Sequence, residues 1–111
     1  MKDIQPDENC LIEPLISAIS GRWKLLIIYW LSHKTRRFNQ LQRDLGNITH
    51  RTLTRQLSEL QEVGFVSRKD FKSIPPHVEY SLTPLGQSLI PLLQAMHDWV
   101  AINANELSGE K

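Results

Sequence analysis

The amino-acid sequence predicts a single, mainly α-helical domain with a small β-hairpin before its last helix. Apolar residues recur at helical spacing through most of the chain, whereas between residues 65 and 82 they alternate with polar residues, as in paired strands. Gly and Pro stand where elements are expected to begin or end. The chain has 111 residues, of which 41% are hydrophobic, so it has the length of one domain and enough apolar residues to form its core.

Three helices are predicted in the first half of the chain. The first carries apolar residues at helical spacing: Leu11, Ile12, Leu15, Ile16 and Ile19. It is expected to end at Ser20-Gly21, and residues 22–31, apolar nearly all round, form a second helix that should be buried. Phe38 is assigned to a short strand. Asn39 is expected to start the third helix, with Gln42 completing a pattern like a capping box.

A fourth helix should follow a turn of about three residues, 46–48, that contains glycine. Thr49 is its expected N-cap, because a threonine hydroxyl can accept a hydrogen bond from an N–H of the first turn. Gly64 is its expected C-terminal glycine. Two helices joined by so short a turn are typical of a helix-turn-helix.

Two strands and a last helix complete the chain. The strands are expected at 65–71 and 77–82, joined by a projecting loop that two prolines stiffen. Thr83 and Pro84 provide the cap and first residue of the last helix, and Pro91 is expected to kink it. This order of elements predicts a winged helix-turn-helix, with first and last helices that serve dimerisation. Residues 10–105 form the domain, and residues 1–9 and 106–111 are expected to be flexible ends.

The charges are unevenly distributed along a chain whose net charge is only +1. Residues 34–55 contain six Lys or Arg against one Asp, whereas residues 1–21 and 84–111 are both net acidic. This asymmetry indicates a local surface that binds anions. The alternative is a charged face that is merely solvated.

The fourth helix, residues 49–63, places apolar and basic side chains on opposite sides. With 100 degrees per residue, Leu57 and Leu60 fall within about 40 degrees of Leu53, and the arginines point the other way. A guanidinium group matches the O6 and N7 acceptors of guanine in the major groove of DNA. Base contacts are therefore expected from Arg51, Thr54, Arg55 and Ser58.

Phosphate contacts are expected around this helix and from the wing, residues 69–77. The predicted set is Arg37, Asn39, Gln40, Thr49, His50, Lys69, Lys72 and His77. A structural hydrogen bond is an equal alternative for His77. For Arg51 and Arg55 the alternative is pairing with Glu59 or Glu62 on a solvated helix; the flanking cations Arg36, Arg37, Lys69 and Lys72 favour binding of nucleic acid.

Residues 10–100 resemble the HxlR-type regulators, winged-helix transcription factors related in fold to the MarR type. Three stretches carry the resemblance: Cys10 with Gly21-Arg-Trp-Lys24; Arg37-Phe-Asn-Gln-Leu41 with Ile48-Thr49 and Leu53-Thr-Arg-Gln-Leu57; and Pro75-Pro-His-Val-Glu-Tyr-Ser-Leu-Thr-Pro-Leu-Gly86. One departure is that Cys10 is followed by Leu11 where members often have proline. The resemblance implies a homodimer that binds double-stranded DNA at a pseudo-palindromic operator, with half-sites about one helical turn or a multiple apart.

The first and last helices carry more apolar side chains than one small core can absorb, which independently predicts dimerisation. The expected interface is Leu11, Ile12, Leu15, Ile90, Leu93, Met96, His97 and Val100. The alternative is that these residues belong to the intramolecular core. His97 is expected to be a packing residue.

Cys10 is the candidate sensor, because some members of the family sense oxidants or electrophiles through a cysteine at this place. An oxidant or small-molecule effector is therefore a candidate partner. A lowered pKa would favour reaction of its thiol, whereas Glu8 and Glu13 would raise that pKa. The alternative is a small buried hydrophobic residue.

Other classes of function find little support in the sequence. The four histidines lack metal-ligand spacing and no Ser or Cys lies in a nucleophile motif, so neither an enzyme nor a cofactor or metal is expected. No apolar run reaches the roughly 18 residues of a membrane span and no secretory signal is seen, so a cytoplasmic location is expected. The main competing function is a winged-helix module that binds another protein.

Overall fold

The protein, described here over residues 11–108 of a computed structural model, has the predicted mainly helical architecture with a small antiparallel sheet. The elements in chain order are α1 Glu13–Ile19, α2 Lys24–Leu31, β1 Arg36–Arg37, α3 Phe38–Leu45, α4 His50–Glu62, β2 Val66–Asp70, β3 Val78–Leu82, α5 Pro84–Gln87 and α6 Ile90–Ser108. Residues 1–10, which include Cys10 and the predicted flexible segment 1–9, lie outside the described part, as do residues 109–111. The winged-helix prediction is confirmed.

The sheet has the strand order β1-β3-β2, with both pairings antiparallel. β3 is therefore central, and Tyr80 in its middle lies opposite Arg36 on one side and Arg68 on the other. Tyr80 and Leu82 are buried as the alternation predicted. The predicted wing, residues 69–77, comprises the end of β2 and the loop that joins β2 to β3.

The helix-turn-helix has the predicted boundaries at α4 but not at α3. Phe38 is the first residue of α3, so its assignment to a strand is wrong; the strand ends one residue earlier, at Arg37. Arg37 is also the N-cap of α3, and its N–H donates to Gln40 Oε1 at 3.3 Å. The predicted start at Asn39 with Gln42 is therefore wrong by about half a turn, because Phe38 packs partly buried against the core as a helical residue.

The last helix is divided into two. Thr83 caps α5 as predicted, its Oγ1 accepting from the N–H of Gly86 at 3.0 Å. However, α5 ends at Gln87, and Pro91 lies in the first turn of α6. The predicted kink at Pro91 is wrong, because proline in a first turn costs no helical hydrogen bond. α6 continues to Ser108, three residues beyond the predicted end of the domain.

The core lies between α2, α4 and the sheet. Ile27 and Ile28 of α2 are completely buried, but Leu26 and Tyr29 are each 41% exposed. The predicted second helix therefore begins two residues later, at Lys24, and buries one side and not its whole circumference. Leu53, Leu57 and Leu60 of α4 are at most 1% exposed. Burial of this stripe fixes the orientation of α4 about its own axis. None of the described helices combines the length and the apolar character needed to cross a membrane.

Candidate nucleic-acid interface

The outward face of α4 carries the predicted base-contacting residues. Thr49 caps this helix, its Oγ1 accepting from the N–H of Thr52 at 3.1 Å, and Gly64 ends it with a φ of +89°. Because the leucine stripe is buried, the residues on the opposite side are held outward. Arg51, Thr54, Arg55 and Ser58 are all exposed and line one shallow concave surface with His50, Glu59 and Glu62. This surface is called the α4 face below.

The two arginines of the α4 face have no carboxylate partner in the described part of the chain. Glu59, one of the two acids expected as an alternative partner, is held by Lys24 of α2, with Nζ to Oε1 at 2.6 Å. The pKa of Glu59 is lowered, first by the hydrogen bond from Lys24 and then by the charge of Lys24, with Arg55 contributing least. The arginine pairing considered from the sequence is therefore absent among residues 11–108.

One hydroxyl of the α4 face is partly engaged within the helix. Thr54 Oγ1 donates to the carbonyl oxygen of His50 at 2.8 Å. Its hydrogen is used, so the oxygen is left to accept a hydrogen bond from a partner. The ring of His50 contacts that of Phe38, with centroids 4.6 Å apart. His50 therefore lies where the first turns of α3 and α4 meet, at one end of the α4 face.

A second basic surface is a cleft of about 440 Å³ between the start of α3 and the base of the wing. It is lined by Arg37, Phe38, Asn39, Gln40, Arg43, Pro76 and Val78. Arg37 bridges its two sides, because its Nη2 donates to the carbonyl oxygen of Pro76 at 3.3 Å. Three of the predicted phosphate contacts are thus brought together here.

Arg43 was missed by the sequence-based prediction. It is exposed on α3 and lines the same cleft as Asn39 and Gln40, which precede it by four and three residues. Residues at these spacings share one face of a helix. Extending the predicted phosphate face by one turn of α3 would have found it.

The wing carries Lys69 and Lys72 on its exposed surface. The Phe71 ring contacts two side chains of the wing: its centre lies 4.7 Å from Lys69 Nζ and 4.4 Å from the centre of the His77 ring. His77 Nε2 is 2.7 Å from Glu79 Oε2, so the structural hydrogen bond considered for His77 is present. Its contact with phosphate stays a prediction.

Arg36 does not belong to the basic surface, contrary to the expectation that it flanks α4. Its guanidinium lies 3.0 Å from Asp44 and 5.3 Å from the centre of the Trp30 ring, and its side chain is 11% exposed. Arg36 faces the interior because its position in β1, paired with Tyr80, points it toward α2 and α3. The cation therefore joins elements of the fold and is not available to a partner.

The residues predicted for dimerisation divide into two groups. Leu15, Ile90 and Leu93 are partly buried and pack against the core of their own chain. Leu11, Ile12, Met96 and Val100 are at least 40% exposed, and His97 is exposed beside Asp98. α6 also exposes four apolar residues that are not part of the predicted interface: Leu92, Trp99, Ile102 and Leu107.

No group of three or more His, Cys, Asp or Glu within residues 11–108 is arranged to hold a metal ion. The chemistry that the described surfaces offer is that of cations and hydroxyl groups around an exposed helix. Such groups bind anions and hydrogen-bond acceptors.

Comparison with known proteins gives a consistent result. The model of the HxlR-like helix-turn-helix family matches residues 18–108. An HTH-type transcriptional regulator of Halalkalibacterium halodurans is 44% identical over 91 residues, which are 81% of this chain and 80% of that protein. Among solved structures, the reduced form of the redox regulator HypR has a TM-score of 0.84 at 38% identity, covering 88% of this chain and 97% of that one. The reduced form of the transcriptional regulator YodB from Bacillus subtilis has a TM-score of 0.73 at 30% identity, covering 80% and 87%.

Proposed function

The chain belongs to the HxlR-like helix-turn-helix family of transcriptional regulators, and we propose that it binds double-stranded DNA as a homodimer. In this proposal α4 enters the major groove and the wing lies along the sugar-phosphate backbone. One observation carries the proposal: Arg51 and Arg55 are exposed and form no ion pair within residues 11–108. They lie on the side of α4 opposite its buried leucine stripe.

Base recognition is assigned to the α4 face. Arg51 and Arg55 can each donate two parallel hydrogen bonds to guanine, and each such contact discriminates between bases by about 1–3 kcal/mol. Thr54 and Ser58 supply hydroxyl groups on the same surface. Holding these side chains on a helix anchored in the core reduces the entropy lost when DNA is bound.

Backbone contacts are assigned to the surfaces on either side of α4. The cleft of Arg37 and Arg43 is expected to receive one phosphate group, and Lys69 and Lys72 of the wing to meet others. The N–H groups at the start of α4, near Thr49 and His50, suit a further phosphate. These contacts fix the position of the protein along the duplex, and contacts of the α4 face with bases determine which DNA sequence is bound.

Dimerisation is assigned to α1 and α6. Exposed apolar side chains along α6, among them Met96, Trp99 and Val100, would be costly to leave in water. Two copies joined through this helix present two α4 faces to a pseudo-palindromic site. Sedimentation of wild type as a dimer and of Met96→Glu/Val100→Glu as a monomer would support this assignment, and a monomeric wild type would contradict it.

The function is tested by binding to duplexes of about 30 base pairs selected by wild type from a randomised pool, a length that holds two half-sites. Arg51→Ala and Arg55→Ala should each weaken binding by roughly tenfold or more, whereas Lys34→Ala, which removes an exposed cation away from these surfaces, should leave it unchanged. Failure to enrich any duplex, or arginine variants that bind like wild type, would refute the proposal.

The competing function, a docking surface for another protein, predicts a different dependence on salt. Affinity for DNA should fall steeply with salt concentration, with a logarithmic slope of about −0.9 for each phosphate contacted. A flat dependence would favour the protein partner.

Regulation through Cys10 is a second proposal, supported by the similarity to HypR, a redox regulator. With one cysteine in each chain, diamide would join the Cys10 thiols of two chains in a disulfide, and diamide would take up the two hydrogens. Diamide is then expected to weaken DNA binding by wild type and not by Cys10→Ser. Equal responses of the two proteins would exclude a role for this thiol.

A further inference from the structure

The ion pair between α2 and α4 joins a mostly buried cation to the edge of the α4 face. Lys24 is the first residue of α2 and its side chain is 12% exposed, whereas that of Glu59 is 42% exposed. Glu59 lines the same concave surface as Arg55, which precedes it by one helical turn. Glu59, the acid closest in sequence to Arg55, is therefore held by Lys24, which lies 35 positions earlier in the chain.

Glu59 would compete for Arg55 if it were released. Side chains four residues apart on a helix are neighbours, and a carboxylate matches the guanidinium fork with two hydrogen bonds. These are the same N–H donors that guanine would need.

We propose that Lys24 is a positioning residue, which holds the Glu59 carboxylate so that the Arg55 guanidinium is free to bind DNA. This inference rests on the function proposed above and assigns Lys24 a role in it without contact with DNA. Lys24 is suited to the role because a mostly buried ammonium group that gave up its carboxylate would be left without a counter-charge.

The charges around Glu59 agree with this arrangement. Lys24 lowers the pKa of Glu59 through both a hydrogen bond and its charge, and the contribution of Arg55 is the smallest. Glu62 lines the same surface, is exposed, and has no ion pair within the described residues. Glu62 therefore provides a matched acid on the same helix that Lys24 does not hold.

A mutant cycle measured on the selected duplex tests the proposal. The variants are Lys24→Met, Glu59→Gln and their combination, each also made with Arg55→Ala, and affinities are corrected for the folded fraction found by thermal unfolding. Glu62→Gln, made in wild type and in the Lys24→Met variant, is the control. It removes the same charge from the same surface, so its effect should not depend on Lys24.

Lys24→Met is expected to weaken binding about threefold to tenfold, and adding Glu59→Gln should restore it to within about twofold of wild type. Glu59→Gln alone should change affinity less than about twofold, and the coupling should disappear when Arg55 is alanine. If the ion pair were only a structural tie, Glu59→Gln alone would weaken binding as much as Lys24→Met and would restore nothing when added to Lys24→Met. A general effect of charge predicts that Glu59→Gln changes affinity equally with and without Lys24. Either result, or coupling that persists without Arg55, would overturn the inference while DNA binding itself stands. If no duplex is selected, the function and the inference fail together.

Discussion

Gly86→Ala is expected to destabilise the protein strongly, although alanine usually stabilises a helix relative to glycine. A Cβ at residue 86 would lie 2.2 Å from the carbonyl oxygen of Phe65 and 3.2 Å from the Leu82 side chain. That oxygen accepts the N–H of Thr83 at 3.1 Å, a bond that joins the beginning of α5 to the beginning of β2. The backbone would have to move by roughly 1 Å, since carbon and oxygen are in normal contact above about 3 Å.

The cost can be worked from these contacts. Breaking a hydrogen bond to a buried carbonyl costs about 1–3 kcal/mol and overpacking a further 1–3 kcal/mol, less about 1 kcal/mol for the better helix former. A net loss of about 1–5 kcal/mol lowers Tm by roughly 4–20 °C in a domain of this size. Thermal unfolding followed by circular dichroism measures the change.

The matched control is Gly46→Ala, where a Cβ meets nothing within 4 Å but φ is +87°. With ψ at −92° this residue lies outside the left-handed helical region, so its cost should be confined to backbone strain of about 1–3 kcal/mol. A Gly86→Ala protein that is as stable as wild type would refute the reasoning from the contact with Phe65.

Three further predictions concern α4 and the wing. Thr49→Ala should cost about 1 kcal/mol in chemical denaturation, with Thr49→Ser close to wild type; equal losses would show that the hydroxyl is not the cap. Lys69→Ala/Lys72→Ala should make the salt slope of DNA binding shallower by about 0.9 for each phosphate group that is no longer bound, without changing the preferred sequence; an unchanged slope would exclude the wing from the backbone. Because Lys24 lowers the pKa of Glu59, their pair stabilises above the ordinary pKa of 4.5 and is lost as pH falls through the lower folded value. The stability advantage of wild type over Lys24→Met should therefore shrink in acid, and an advantage that grows would contradict the assigned direction.

The parts of the fold that local signals specify could be predicted. Thr49 and Gly64 bound α4 with a cap and a left-handed residue, and the spacing of Leu53, Leu57 and Leu60 indicated its buried side. The exposure of the α4 face follows from the same spacing, since one helix cannot bury both sides here. Local spacing thus accounts for the central part of the candidate site.

The features that were mispredicted depend on contacts between distant residues. Arg36 faces inward because β1 pairs with β3, where its partner Tyr80 lies 44 positions further along the chain. A strand of two residues is too short for an alternating pattern that would indicate which side of the sheet Arg36 faces. Lys24 and Glu59 likewise belong to different helices. Pro91 was taken for a kink because proline at the start of a new helix and proline within a continuing one look alike in the sequence.

The α4 face is proposed to meet base edges in the major groove, and the assignment of every other surface depends on this contact. Protection of guanine N7 from methylation by dimethyl sulfate reports on that groove directly, because N7 is one of the two acceptors of guanine there. We expect wild type to protect guanines in two symmetric half-sites of the selected duplex, and Arg55→Ala to lose protection at one position in each. A protein that binds the duplex and leaves every guanine N7 accessible would contradict the proposed mode of binding.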